Sequence, residues 1–246
     1  MTVEHSIPQQ TLARADEHRL ATAARSVLAC PADVQLVVDG VDDVLADGAD
    51  LGMQDLDGEP TFSCPAGSAL ALAARGRRSA LLTLESGLGS PGSADRAARL
   101  TLTGRLEWRG RAECPCCTEP REVVVLVVNV VLLGREGAPR GTQVRVPVEH
   151  FSAPGQSLNR GFLQRSVEHA NGAHQQELRQ AVATRTGTRL TDVVGVSLAD
   201  LDATGLDLTW VDPEGAHLTH LDFPRPARDP HDLAELLRAT LHAGLC

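Results

Sequence analysis

The chain has 246 residues, 42% of them hydrophobic, enough for one large domain or two modest ones with buried cores. All 23 basic residues are arginine, which excludes lysine Schiff-base chemistry and any lysine general base. A formal net charge of −9 argues against a nucleic-acid-binding module, and four Phe, two Trp and no Tyr leave few rings to stack on bases.

The charge is unevenly spread. Residues 26–74 hold nine acids and no arginine, whereas residues 75–111 hold eight arginines and three acids. A solvated acidic face beside a mixed one accounts for this pattern; any anionic ligand group is expected near the arginine-rich half. The start of the chain shows no basic flank followed by an apolar run. The longest apolar stretch, residues 123–133, is too short to span a bilayer. A cytoplasmic protein with reduced cysteines and no membrane contact is the expectation.

In chain order, residues 11–29 read as a helix with Leu20, Ala24, Val27 and Leu28 on one stripe, ended by Cys30-Pro31. Strands follow at 34–38, 52–56 and 60–64, the last two flanking the hairpin dipeptide Asp57-Gly58. Ser68 is placed to cap a short helix to Ala74, and 80–84 is strand-like. Residues 87–93 form a Gly/Ser/Pro loop. In 99–109 the residues Leu100, Leu102, Gly104, Leu106 and Trp108 alternate with polar ones. Residues 123–133 are apolar on both faces, as a central strand tolerates, and 143–148 closes the set. About six strands with short connections favour a closed or partly closed barrel.

A boundary is expected at 152–160, around Pro154-Gly155. Beyond it, Leu163, Val167, Ala170, His174, Leu178 and Ala181 form one helical stripe. Strands are expected at 193–198, 206–211 and 216–223, the last two joined by the turn Asp212-Pro213-Glu214-Gly215. Asp229 caps a final helix with Pro230 at its first position. The fold class is therefore α+β: a split β-barrel over residues 8–151, then a small α-β-β-β-α unit over 160–246.

The segments Val167-Glu168-His169-Ala170-Asn171-Gly172-Ala173-His174, Gly195-Val196-Ser197-Leu198-Ala199-Asp200, Phe223-Pro224-Arg225-Pro226 and Asp229-Pro230-His231-Asp232-Leu233 appear in this order. With residues 99–107 and the ending Val148-Glu149-His150-Phe151, the order resembles HugZ-type haem-utilisation proteins. These join a pyridoxamine-phosphate-oxidase-like, flavin-reductase-like split barrel to a small C-terminal α/β unit. The resemblance implies a homodimer whose pockets hold haem, FMN or neither. Relatives read His-x-Asn-x-Asp-His where this chain has Ala173 in place of the Asp. Flavin-binding relatives grip phosphate with basic side chains on early strands, which lack them here, so FMN ranks below haem unless Arg75, Arg77 and Arg78 fold over the site.

His169 and His174 are five residues apart. On a continuous helix their rings would diverge by roughly 140°, and His169, Asn171 and His174 therefore read as a structural signature, with Asn171 a hydrogen-bonding partner. Cys114, Cys116 and Cys117 form the one dense cysteine cluster, open to accidental, metal or redox readings. Three cysteines precede proline, at Cys30, Cys64 and Cys114, a pattern that recurs in thiolate haem ligation. Haem binding for handling, sensing or degradation is the leading expectation, with a propionate paired to an arginine such as Arg105 and iron held by a cysteine or by a histidine such as His242. A non-catalytic regulatory or interaction dimer and an FMN-dependent oxidoreductase are the alternatives.

Overall fold

The computed structural model describes residues 7–42, 44, 52–113, 119–134 and 143–242, with side chains described from residue 16 to residue 241 within those segments. The chain divides into two compact units, Met1–Gly161 and Phe162–Cys246.

The first unit opens with helix α1 (Ile7–Ala29). Its buried stripe of Ala21, Ala24, Val27 and Leu28 is mostly small, so the helix lies close against a sheet. That sheet contains β1 (Pro31–Val38), β2 (Gly52–Leu56), β3 (Glu59–Pro65), β4 (Ser79–Ser86), β5 (Arg99–Glu113), β6 (Pro120–Gly134) and β7 (Gln143–Val146), all antiparallel. Its order is β1-β4-β5-β6-β3-β2, with β7 on β6.

The split lies on β6. One edge of β6 pairs with β5 throughout; the other pairs with β3 at Arg121–Val125 and with β7 at Val131–Gly134. The sheet thus parts into two wings at the middle of β6, which explains why this strand is apolar on both faces. Among the described residues β1 and β2 end the path without pairing to each other, a half-barrel and not a closed one. Leu82, Leu84, Leu100, Leu102, Leu106, Val124 and Leu126 fill the concave side. The expected alternation of β5 holds to Leu106. Trp108 keeps the register opposite Val124 but is 40% exposed, and a register shift follows it before Gly110.

Helix α2 (Ala69–Arg75) is capped by Ser68, whose Oγ accepts from the Ala71 N–H at 3.3 Å. Asp57 and Gly58 both take positive φ, 52° and 86°, in the β2–β3 turn. Gly58 is pressed onto Arg25 and Ser152, so a Cβ there would lie 3.0 Å from each. The one-turn helix α3 (Val148–Phe151) replaces the end of the last expected strand and buries Phe151 in the core.

Helix α4 (Arg160–Ala173) begins with the last two residues of the first unit; the second unit holds the rest of it and α5 (Gln175–Thr186), separated by His174 at φ −123° and ψ 34°. Gly187, in the left-handed conformation, ends α5. A meander of β8 (Gly195–Leu201), β9 (Gly205–Asp212) and β10 (Gly215–Asp222) follows, in the order β10-β9-β8. Helix α6 (Pro230–His242) starts where expected, with Asp229 Oδ1 accepting the Asp232 N–H at 2.8 Å. Asp232 is in turn gripped by both guanidinium nitrogens of Arg225, which hold its carboxyl well below the usual range.

Candidate functional site

Among the described residues the first unit holds a cleft of about 510 Å³ between α1, the loop after β4, the end of β6 and the start of α4. Its walls are apolar: Ala23 and Val27 from α1, Leu88 and Ala98 from the loop, and Leu133 from β6. Thr22 and Ser26 add hydroxyls, and Arg19, Arg160 and Asp95 stand at the polar margin.

Each side has a local cause. Arg19, Thr22, Ala23, Ser26 and Val27 share one α1 face because they recur at intervals of three and four. The loop is fixed by the Gly87 N–H donating to Cys30 O at 2.8 Å, and by Arg96 Nη1, which donates to the carbonyls of Gly87 and Gly89. Arg160 is delivered by its neighbour: at Gly161 a Cβ would fall 1.9 Å from Ser26 O, so only glycine lets α4 begin this close to α1.

The two arginines are exposed and hold exposed partners, Arg19 with Asp16 and Arg160 with Asp95 at 2.5 Å. Such pairs are weak and exchange readily for a ligand carboxylate. The margin thus holds two arginines, each with an exposed and exchangeable carboxylate partner, above apolar walls. That combination suits a bulky apolar ligand bearing carboxylates. The described lining holds no histidine or cysteine, so it offers the iron of a haem no axial ligand.

The expected cofactor-binding residues lie elsewhere in the unit. Arg75 pairs with the buried Glu122 at 2.5 Å and stacks over Trp108, 4.8 Å from the ring centre. Arg77 pairs with Glu107 at 2.6 Å. Arg78 runs beside Gly40, and Arg105 is exposed on β5 opposite Ser79. None of these four lines the cleft. His242 ends α6, with its side chain outside the described residues; Cys114, Cys116 and Cys117 also lie outside them. Cys30 and Cys64 are buried, and burial pushes the Cys64 thiol up, against thiolate character.

The C-terminal motif departs from its expected geometry. The divergence of His169 and His174 assumes an unbroken helix, whereas the break at His174 swings its ring back: the two Nε2 atoms lie 3.3 Å apart with the rings nearly perpendicular. Glu177 Oε1 stands 3.4 Å from His174 Nδ1. Asn171 bonds to β8 and not to either ring, donating to Leu198 O at 2.9 Å and accepting the Leu198 N–H at 2.8 Å. Among the described residues no group of three or more His, Cys, Asp and Glu is arranged around a metal position.

Sequence reading missed the cleft. Its loop was visible as a Gly/Ser/Pro run and Arg160 stood at the expected boundary, but no local motif joins Arg19, Leu88, Leu133 and Arg160. Only folding brings them together.

Fold and cleft together define an α+β protein with a half-barrel, split-barrel-like sheet and an apolar, arginine-edged cavity. Two solved structures resemble it over nearly their whole length. A heme binding protein from Mycobacterium smegmatis shares 15% identity at a TM-score of 0.38, covering 99% of each chain. A protein of unknown function from Agrobacterium tumefaciens shares 18% identity at a TM-score of 0.39, covering 91% of this chain and 95% of that one. Neither likeness assigns a ligand to this chain. No protein-family model and no curated protein matches it.

Proposed function

We propose that this chain is a haem-handling protein that holds the tetrapyrrole in the cleft between α1 and the loop after β4. The observation that carries the reading is the pairing of apolar walls with the two arginines, Arg19 and Arg160, at the margin of a cavity of about 510 Å³. The ring would pack on Ala23, Val27, Leu88 and Leu133, and its propionates would displace Asp16 and Asp95 from the arginines. Handling is favoured over oxidative cleavage because the described lining holds no iron ligand, so binding rests on the periphery of the ring. FMN ranks lower because the early strands β1, β2 and β3 carry no arginine to grip its phosphate.

Titration of the full chain with haem, followed at the Soret band, and with iron-free protoporphyrin, followed by fluorescence, tests this. Both ligands are expected to bind with similar micromolar affinity, and Arg19→Ala/Arg160→Ala is expected to weaken both by roughly tenfold, two exposed charge pairs at about 0.7 kcal/mol each. The absence of any spectral change at micromolar protein overturns the proposal. A strong preference for haem over protoporphyrin overturns the peripheral mode.

A further inference from the structure

We propose that His169 and His174 form a divalent-cation site, with two imidazole ligands, open positions for water, and Glu177 as the carboxylate that orients His174. The geometry comes from the break between α4 and α5. His174 leaves helical conformation at φ −123° and ψ 34°, and its Nε2 returns to within 3.3 Å of the Nε2 of His169. Two imidazole nitrogens bound to one ion at about 2.0–2.1 Å, at a near-tetrahedral angle, stand roughly 3.3 Å apart. The ring planes stand at 76° with centroids 5.0 Å apart, so the ring faces do not overlap.

The tautomer follows from the third residue. Glu177 Oε1 lies 3.4 Å from His174 Nδ1, on the side of the ring away from His169. A carboxylate there places the proton on Nδ1 and leaves Nε2 as a lone-pair donor, the arrangement of histidine ligands supported by an outer carboxylate. Without an ion, two Nε2 atoms facing each other must share one proton in a long hydrogen bond. With an ion, both lone pairs are used. His174 and Glu177 are substantially exposed, at 44% and 36%, so an ion has access from solvent. Imidazole pairs of this kind favour Ni²⁺, Cu²⁺ or Zn²⁺ over the hard cations.

The test is a calorimetric titration of the full chain with Ni²⁺, beside His169→Asn/His174→Asn and Glu177→Gln. The wild-type chain is expected to take up one more equivalent at micromolar affinity than the double variant; any ion bound by thiolates elsewhere is common to both. Glu177→Gln is expected to keep the equivalent and weaken it about tenfold. Circular dichroism melts check that the variants, altered at exposed positions, remain folded. Equal stoichiometry and affinity in the wild type and the double variant overturn the site. Unchanged affinity in Glu177→Gln overturns the orienting role.

Discussion

Arg25 shows how much of the first unit hangs on one side chain. It is 1% exposed on the buried side of α1, with Nε 3.0 Å from Asp55 Oδ2 and Nη1 donating to Phe151 O at 2.9 Å. Asp55 is 8% exposed and also accepts the Gly58 N–H at 2.8 Å, so this one network joins α1, the β2–β3 hairpin and α3. Burial raises the Asp55 carboxyl above its ordinary value, against the pull of Arg25. Desolvation is therefore the dominant cost, and the guanidinium offsets it only while it stays in place. Arg25→Met is expected to destabilise the first unit by about 3–5 kcal/mol, because it leaves a carboxylate buried without its cation. Replacing both partners, Arg25→Met with Asp55→Leu, is expected to recover most of that loss. Each unit contains one tryptophan, Trp108 in the first and Trp210 in the second. Urea unfolding of a Trp210→Phe background therefore reports the first unit alone. A midpoint unchanged by Arg25→Met contradicts the argument.

At the scale of elements, the helix break at His174 and the strap from α4 to β8 explain the C-terminal motif. Asn171 satisfies both backbone groups of Leu198, doing for β8 what a neighbouring strand would do. Asn171→Ala leaves that N–H and C=O without their partner, and about 2 kcal/mol of destabilisation is expected, read by the fluorescence of Trp210 in a Trp108→Phe background. Asn171→Asp keeps the acceptor and loses the donor, so it is expected to fall between the two; equal stability of all three removes the strap. These elements also show where sequence reading succeeds and where it stops. Alternation in β5, the Asp57-Gly58 turn, the Ser68 cap and the Asp229-Pro230 start are local devices, and each was legible because neighbours in sequence decide it. The stripe from Leu163 to Ala181 is equally regular, yet the helix breaks inside it. Of its six residues only Leu178 and Ala181, beyond the break, are buried, and the His174 side chain is 44% exposed: periodicity does not report whether the backbone between its members is continuous. The cleft failed for a related reason. Arg19, Leu88, Leu133 and Arg160 each have an ordinary local setting, and their meeting depends on a 1.9 Å restriction at Gly161 against a helix more than 130 residues earlier.

For the molecule as a whole, the outer face of the half-barrel poses the question of assembly. Val37, Leu81 and Thr103 form one cross-strand row on β1, β4 and β5, turned away from the core. Val37 is 61% exposed and Leu81 39%, and a shallow depression between them reaches Gly104 and Asn129. A sheet face with exposed branched apolar side chains at its centre is what a two-fold contact buries, since each copy presents the same row to the other. We propose this row as the seat of a homodimer contact. Sedimentation equilibrium at micromolar concentration is expected to give ~52 kDa, twice the 26.1 kDa chain. Leu81→Arg places two guanidinium groups near the symmetry axis, where unpaired buried charge is costly, and is expected to shift the equilibrium to monomer. Because Leu81 points outward, the variant should keep its thermal transition and its haem response at the cleft, which lies on other elements. A mass of one chain at every concentration, or a dimer untouched by Leu81→Arg, moves the contact off this face. If monomerisation instead abolishes haem binding while the fold persists, the cleft between α1 and the loop after β4 is completed by the second copy.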